Sequence, residues 1–165
     1  MNYQIREMKQ DDWSDVGRIY LQGINSNLST LLTVCPDYAE WDKSHLKICR
    51  LVITLDQKII GWVALMSTSN RPAYAGVAEV SIYIDMMHQH RGAGRALMGE
   101  LIHLSESCGI WSLLAVIIRE NHPSIRLLET CGFRVVGYRE RLGRDRFGIW
   151  RDIILMEHRS ERDDF

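Results

Sequence analysis

A strand followed by a glycine-containing loop is the part of this sequence best suited to bind a phosphorylated ligand. Apolar and polar residues alternate over residues 79–85, which is the period of a half-buried strand. Gly92 and Gly94 follow closely and open a predicted helix. Glycine lets the backbone approach a ligand, and the free N–H groups at a helix start attract phosphate. The segment therefore predicts a site for a phosphorylated cofactor.

The spacing of these glycines excludes the common nucleotide loops. No Gly-x-x-x-x-Gly-Lys-Ser/Thr run occurs, and Leu97 stands where a dinucleotide loop needs its third glycine. The pattern Gln/Arg-x-x-Gly-x-Gly/Ala does fit residues 89–94. In this respect the loop resembles the acetyl-coenzyme A loop of the GCN5-related N-acetyltransferases (GNAT). A tight turn at a helix start is the alternative interpretation.

Length and composition indicate a single globular domain. The chain has 165 residues, of which 46% are hydrophobic and 25% charged, with a net charge of −1. These values give no reason to expect a nucleic acid or a membrane surface as partner. No apolar run approaches the roughly 20 residues of a membrane span, and the four cysteines have no metal-ligand spacing. We expect a cytoplasmic protein without a metal, with one domain at 1–160 and a charged tail at 161–165.

The predicted elements follow the order β-α-α-β-β-β-α-β-α-β-β. This order favours an α/β fold in which one mixed central β-sheet carries helices on both faces. An apolar run at 111–118 predicts a central strand covered on both faces, parallel to the strand that ends at residue 84. A second helix is predicted over 36–47, and the strand before the glycine loop over 74–84. The helix after that loop is expected to turn Leu97, Leu101 and Cys108 to one inward face and to end at Gly109. Residues 25–36 form a polar loop, either a connector or a functional segment.

The resemblance to acetyltransferases extends along nearly the whole chain. Asn121 and Ser124, followed by Gly132–Phe133, are similar to a cofactor-binding segment of that superfamily. Further stretches resemble its phosphinothricin N-acetyltransferase branch: residues 23–25, 40–41, 78–84, 115–117, 124–127 and 148–152. The resemblance implies the GNAT fold, acetyl-coenzyme A as cosubstrate, a small-molecule amine as substrate and, as is usual in the branch, a homodimer.

Glu79 occupies the position of the glutamate that acts as general base in the phosphinothricin enzymes, so the resemblance implies this role here. An amine is protonated at neutral pH and must lose a proton before it attacks a thioester. A partly desolvated carboxylate has a raised pKa, which suits that task. The alternative is a carboxylate that faces solvent or pairs with an arginine. A backbone N–H of residues 80–82 is expected to stabilise the oxyanion.

The resemblance also implies the contacts of the cofactor. The backbone of Ile82, Tyr83 and Ile84 should bind the pantetheine arm as it would bind a neighbouring strand. Asn121 and Ser124 should approach the pantetheine and the pyrophosphate. The loop and the first helical turn should hold the pyrophosphate through Gln89, His90, Arg91, Gly92, Ala93, Gly94 and Arg95.

Two positions depart from the branch. Leu128 stands where a histidine is common, so water or Ser124 is the expected proton donor to the thiolate. Thr-Leu-Leu-Thr at 30–33 replaces the branch's Thr-Phe-Glu-Thr. On the substrate side, Arg71 and Tyr74 lie in a loop like that of the branch, where an arginine can bind a carboxylate or phosphinate. A surface arginine and a packed tyrosine are the other interpretation.

These features predict an N-acetyltransferase that transfers acetyl directly from acetyl-coenzyme A to a small amino acid or glutamate analogue, such as phosphinothricin or methionine sulfoximine. Six arginines between residues 134 and 151 either make a solvated hairpin face or frame an anionic pocket across a dimer interface. Two other functions stay open. One is acetylation of a polyamine or a protein N-terminus, and the other is non-catalytic sensing of acyl-coenzyme A.

Overall fold

The computed structural model describes residues 2–165, which form one seven-stranded sheet with four α-helices. Met1, the first residue of the predicted domain, lies outside the described residues. The strand order is β1-β2-β3-β4-β5-β7-β6, with β4 and β5 parallel and the other neighbours antiparallel. The predicted mixed sheet and the order of its elements are confirmed. The bounds are β1 Gln4–Glu7, α1 Trp13–Asn25, α2 Tyr38–Ser44, β2 Leu51–Leu55, β3 Lys58–Ser67, β4 Val77–Ile84, α3 Ala93–Ser107, β5 Ser112–Ile118, α4 His122–Thr130, β6 Arg134–Arg144 and β7 Trp150–Arg159.

Helices cover both faces of the sheet, as predicted, and each face has its own apolar cluster. Leu97 and Leu101 of α3 are fully buried in one cluster together with Val63 of β3. The opposite cluster joins α1 and α2 to the sheet and contains the fully buried Trp41 and Trp62. Successive strand residues point to opposite faces, which is why the neighbours Trp62 and Val63 belong to different clusters. Each such side chain contributes about 1.5–3 kcal/mol by burial.

Two elements are shorter than predicted because local hydrogen bonding limits them. Helix α2 begins only after Asp37, whose carboxylate accepts a hydrogen bond from the Glu40 N–H at 2.9 Å. It ends before His45, whose backbone is extended (φ −111°, ψ 149°). The prediction of a helix over 36–47 was therefore too long at both ends. Strand β4 starts at Val77 rather than at residue 74, because Pro72–Tyr74 forms a 3-10 turn.

Glycines bound helix α3 at both ends, in agreement with the sequence. Gly92 precedes the helix with φ 86°, and Gly109 follows it with φ 82°, a left-handed conformation that favours glycine. The prediction that Cys108 faces inward was wrong, since Cys108 is exposed. The helix ends at Ser107, so Cys108 no longer follows the helical repeat, and Met98 and Ser105 are buried on that face instead.

Strands β4 and β5 lie side by side for only part of their length. Their pairing covers three positions, from Val77–Ser112 to Glu79–Leu114. Beyond Glu79 they separate, while β4 stays paired to β3 and β5 to β7. The prediction that β5 is covered on both faces was therefore too strong, because Leu114 and Val116 are only half-buried at the opening. This separation creates the cavity described below.

The C-terminal residues contact α3 and Trp111, which directly precedes β5. Ser160 donates a hydrogen bond to Glu106 of α3 at 2.5 Å, and the rings of Phe165 and Trp111 lie 6.2 Å apart. Within residues 2–165, none of the helices combines the length and the apolar character that a membrane crossing requires.

Candidate active site

A cavity of about 1260 Å³ opens where β4 and β5 separate. Its walls come from both strands, the end of α1, residues 26–36, helix α2 and the N-termini of α3 and α4. Most of the site residues predicted from the sequence line this one cavity. They are Glu79, Ile82, Tyr83, Ile84, Gln89, His90, Gly92, Gly94, Arg95, Asn121 and Ser124.

Four predicted site residues do not contribute to the cavity wall. Arg91 is exposed, and its carbonyl accepts a hydrogen bond from the Tyr3 hydroxyl at 2.7 Å. Ala93 is buried in the core beneath the first turn of α3. Arg71 and Tyr74 are exposed at the turn before β4, so a single protomer does not bring them to Glu79. Their role in substrate binding stays a prediction.

The N-terminus of α3 has free backbone donors that could hold a diphosphate. The first helical hydrogen bond runs from the Ala96 N–H to the Gly92 carbonyl at 3.0 Å, so the N–H groups before Ala96 have no acceptor within the helix. Space is open around Gly92: among residues 2–165, apart from its chain neighbours, none has an atom within 4 Å of the position that a Cβ would occupy. At Gly94 a Cβ would approach Leu127 of α4 to 3.0 Å, so this glycine lets the two helices come close.

A second helix start faces the same end of the cavity. Asn121 caps α4, and its Oδ1 accepts a hydrogen bond from the Ser124 N–H at 3.3 Å. Its side-chain amide group remains available for a ligand. Because two helix N-termini meet here, their partial positive charges add in favour of an anionic group. This end of the cavity is called the cofactor half below.

The free edge of β4 completes the cofactor half. Past Glu79, the backbone of β4 bonds to β3 on one side, with Ile82 opposite Val63 and Ile84 opposite Gly61. On the other side β5 has moved away, so the ladder groups of Ile82 to Ile84 have no strand partner there. An extended chain with amide groups, such as pantetheine, fits such an edge because it can supply the missing donors and acceptors.

Glu79 lies at the point where the two strands part. It is half-buried, sits opposite Met66 of β3 and Leu114 of β5, and lines the cavity. Burial raises the pKa of the Glu79 carboxyl. Within residues 2–165 no group donates a hydrogen bond to this carboxylate or forms an ion pair with it. Its lone pairs are therefore available to a ligand in the cavity.

Tyr83 lines the cavity and packs against two other aromatic rings. Its ring stacks on Trp62 with 4.9 Å between centroids and lies 4.8 Å from the ring of Tyr20. Burial raises the pKa of the Tyr83 hydroxyl, which therefore stays neutral. A Cβ on Gly23 would lie 2.5 Å from this ring, so only glycine permits α1 to pack here. The result is a rigid aromatic wall beside Glu79.

The other end of the cavity, called the acceptor half below, is built mainly from side chains that are distant from one another in the sequence. Helix α2 and the residue after it contribute Glu40, Ser44 and His45. Glu40 lies in a stretch that resembles the branch, but no motif indicated Ser44 or His45, because their position depends on how α2 packs against β3. The remaining wall is mainly apolar and includes Leu28, Leu31, Leu32, Val34, Met66 and Leu142. Hydroxyl groups on it come from Ser26, Ser29 and Thr30.

The loop at residues 26–36 is anchored to the hairpin between β6 and β7. Asp145 accepts hydrogen bonds from Asn27 Nδ2 and from Arg151 Nε, both at 2.9 Å. Burial opposes ionisation, but these and two backbone donors outweigh it and lower the pKa of Asp145 to about 2. Leu31 contacts the hairpin as well, since a Cβ on Gly143 would lie 2.6 Å from Leu31 Cδ1. Of the two interpretations of this loop, the structure favours the functional one, because the loop forms a fixed wall of the acceptor half.

Comparison with known proteins identifies the class of this protein. The family model of the acetyltransferase (GNAT) family matches residues 4–133, which is most of the chain. The chain therefore belongs to the GNAT acetyltransferase family, as the resemblance of its loop implied.

Three relatives narrow the comparison. A Bacillus subtilis (strain 168) protein that carries the provisional name phosphinothricin acetyltransferase YwnH is 35% identical over 134 residues, covering 78% of this chain and 82% of its own. The L-methionine sulfoximine/L-methionine sulfone acetyltransferase of Salmonella typhimurium is 30% identical over 99 residues, or 60% of this chain and 57% of that one. The phosphinothricin acetyltransferase of Sinorhizobium meliloti, solved in complex with acetyl-coenzyme A, superposes with a TM-score of 0.89 at 25% identity, covering 100% and 92% of the two chains.

Proposed function

We propose that this protein transfers acetyl from acetyl-coenzyme A to the amino group of a small amino acid or glutamate analogue of the phosphinothricin or methionine sulfoximine type, with Glu79 as general base. The observation that carries the proposal is the position of Glu79. Its unpaired carboxylate lies in the cavity at the residue where β4 and β5 separate, between the cofactor half and the acceptor half. The relatives' activities support the substrate class.

Acetyl-coenzyme A fits the cofactor half in three places. The N–H groups of Ala93, Gly94 and Arg95 suit the pyrophosphate, and Arg95 adds a positive charge on the cavity wall. The unpaired edge of β4 suits the amides of the pantetheine arm. This placement brings the thioester, which supplies the electrophilic acetyl carbon, to the level of Glu79. A backbone N–H of residues 80–82 then donates to the thioester oxygen.

Glu79 performs the proton transfer that the reaction requires. The acceptor arrives as an ammonium ion, and the Glu79 carboxylate takes one of its protons. The freed nitrogen lone pair forms the C–N bond, and the C–S bond breaks with its electron pair going to sulfur. The nitrogen then loses a second proton to water, which leaves the neutral amide. The raised pKa of Glu79 makes the carboxylate a better match for an amine proton than an exposed glutamate would be.

The thiolate proton comes from water or from Ser124. Ser124 lies half-buried on the cavity wall at the start of α4. Leu128, at the position where the branch has a histidine, is 1% exposed and packed in the core. A thiol is a weak acid with a pKa near 8.5, so its anion leaves readily and needs little assistance.

A homodimer is the proposed assembly, and β6 with its hairpin is the proposed contact surface. Seven large apolar side chains are exposed on these two strands and the turn between them, and exposed apolar groups favour a protein contact. In such a dimer, Arg71 and Tyr74 of one protomer are the proposed contacts to the carboxylate or phosphinate of a substrate bound by its partner. The exposed apolar residues are Val135, Val136, Tyr138, Leu142, Phe147, Ile149 and Trp150.

We also propose a single domain and a cytoplasmic location. A single domain at 1–160 agrees with a sheet whose last strand ends at Arg159. A cytoplasmic location agrees with four free cysteines, which persist in a reducing compartment. A change in solution mass on Phe147→Asp, measured by light scattering, would support the proposed dimer surface.

The proposed function is tested by a thiol-release screen with acetyl-coenzyme A. The panel contains phosphinothricin, methionine sulfoximine, unmodified amino acids, a polyamine and a peptide with a free N-terminus. We expect the fastest release with the glutamate analogues. Faster release with the polyamine or the peptide would replace the substrate class. Binding of acetyl-coenzyme A without thiol release from any amine would favour an acyl-coenzyme A sensor.

A further inference from the structure

His45 lies at the acceptor half of the cavity, on the same face of the sheet as Glu79. It is the first residue after α2, is 8% exposed and lines the cavity. The next residue, Leu46, donates its N–H to the Leu65 carbonyl at 2.8 Å. This bond holds the end of α2 over β3 beside Met66, which is the cross-strand partner of Glu79. His45 and Glu79 therefore face the same part of the cavity.

The hydrogen bonds of His45 determine which ring nitrogen carries the proton. Nδ1 lies 2.8 Å from the Trp41 carbonyl oxygen and 2.9 Å from Ser44 Oγ. The Ser44 hydroxyl itself donates to the same carbonyl at 2.9 Å. A carbonyl only accepts hydrogen bonds, so Nδ1 must be the protonated nitrogen. Nε2 then has a lone pair, and no group within residues 2–165 donates to it.

Neighbouring side chains hold the imidazole in place and keep it neutral. The ring stacks on Trp41 with 4.4 Å between centroids and meets Trp62 edge-on at 6.4 Å. Burial lowers the pKa of His45, and the nearby positive charge of Arg50 lowers it further, against the opposing effect of the Trp41 carbonyl. Arg50 is fixed by its own hydrogen bond to the His45 carbonyl at 3.0 Å. His45 therefore offers an uncharged acceptor at neutral pH.

The acceptor half as a whole presents acceptors rather than cations. The parts of its wall that come from residues 26–36, α2, β3 and β6 contain no lysine or arginine. The titratable groups there are Glu40 and His45, with Glu79 alongside. A protonated amine has three N–H donors and no lone pair, so it is the group that this arrangement recognises.

We infer that His45 is a further substrate-contacting residue, whose Nε2 accepts a hydrogen bond from the ammonium nitrogen of the acceptor while Glu79 takes the proton that is lost. The inference rests on the proposed acetyltransferase function and adds a second contact to the reacting nitrogen. Because His45 Nε2 and the Glu79 carboxylate both accept from that nitrogen, they orient it so that its lone pair points at the thioester after the proton is lost. The packed rings of Trp41 and Trp62 make this geometry rigid.

Two substitutions separate this role from a structural one. In His45→Asn the amide nitrogen can replace Nδ1 and keep the bond to the Trp41 carbonyl, but nothing replaces Nε2. In His45→Gln the longer side chain places an amide oxygen near the Nε2 position. We expect His45→Asn to raise KM for the amine about tenfold, as the loss of a hydrogen bond to a charged group does. His45→Gln should recover part of this loss.

The controls are the cofactor affinity and a histidine outside the cavity. Both variants should bind acetyl-coenzyme A within about twofold of wild type, since His45 belongs to the acceptor half and not to the α3 N-terminus. His103→Asn, on the exposed face of α3, should leave both constants unchanged. Unchanged amine KM in a folded His45→Asn would overturn the inference, as would an equal loss of amine and cofactor affinity.

A measurement on the wild-type protein covers the case in which His45→Asn does not fold. The ¹⁵N chemical shift of His45 Nε2 should move when the amine is added to the protein with coenzyme A present. An unchanged shift at saturating amine would contradict the inference. If the wild-type protein releases no thiol with any amine, the proposed function and the inference both fail. If it releases thiol but the chemical shift of His45 does not respond to the amine, only the inference about His45 fails.

Discussion

The two halves of the cavity are built in different ways. The cofactor half uses mainly backbone groups from one continuous segment, β4 through the start of α3, with the cap of α4 added. The acceptor half uses side chains from α2, the loop at residues 26–36, β3 and β6. Leu28 and Leu142 both line it, although they lie near opposite ends of the chain. Glu79 lies at the boundary between the halves.

This difference explains why a short sequence pattern indicated the cofactor half, whereas none indicated the substrate. Backbone N–H groups at a helix start can bind phosphate whatever the neighbouring side chains are, so a short glycine pattern is enough to predict such a site. The acceptor half has no such pattern, because any set of side chains that packs can form its wall. We therefore expect variants of the two halves to affect different constants.

Glu79→Gln should have the largest effect, because it removes the only proposed base at the boundary. We expect kcat/KM for the amine to fall by roughly 10²- to 10⁴-fold, the usual contribution of general base catalysis. The affinity for acetyl-coenzyme A, measured by calorimetry, should stay within about twofold. Glu129→Gln, on the exposed side of α4, is the matched control and should behave as wild type. A loss of cofactor affinity equal to the loss of rate would place Glu79 in the cofactor half instead.

The pH dependence of the rate should reveal the ionisation of Glu79. Burial raises its pKa, and the base is the carboxylate, so kcat/KM should fall by about tenfold per pH unit once the pH drops below that raised pKa. Above it the wild-type rate should level off. In Glu79→Gln only free amine can react, so its rate should keep rising toward the pKa of the amine. Identical profiles for the two proteins would exclude Glu79 as the titrating base.

Gly94→Val should affect the cofactor half alone. The valine side chain would enter the cavity at the pyrophosphate site and approach Leu127, and we expect the Kd for acetyl-coenzyme A to rise about tenfold. Gly99→Val is the control on the same helix, since Gly99 is exposed and no atom lies within 4 Å of its Cβ position. Thermal melting checks that both variants are folded. Equal affinities would show that the cofactor does not pass Gly94.

Asp145→Asn should have the smallest effect and should be confined to the acceptor half. The amide replaces a charged acceptor of Asn27 and Arg151 and loosens the anchor of the loop at residues 26–36. We expect KM for the amine to rise about threefold, with unchanged Kd for acetyl-coenzyme A. Asp152→Asn is the control, because Asp152 accepts hydrogen bonds from Tyr138 and Arg141 without touching that loop. Equal changes in both variants would point to general loosening of the hairpin.

Sequence-based predictions were accurate where the structure depends on residues close together in the chain, and less accurate where it depends on contacts between distant segments. The positions of Gly92 and Gly109 at the ends of α3 were predicted correctly, because left-handed backbone favours glycine wherever it occurs. The length of α2 was not, since its end depends on His45 leaving the helix to cover β3. The exposure of Cys108 was missed for a related reason: the helical repeat stops one residue earlier.

The sequence by itself determined the order of the elements, the mixed sheet and the glycine-led start of α3, because these depend on hydrogen bonds and side-chain periodicity within a few residues of one another. Glu79 became the candidate base through the resemblance to the phosphinothricin branch. Only the tertiary structure decided that β4 and β5 part directly after Glu79, that Asp145 anchors the loop from Asn27, and that His45 faces the cavity. These features arise from packing between segments that are distant in the chain, which no local pattern encodes.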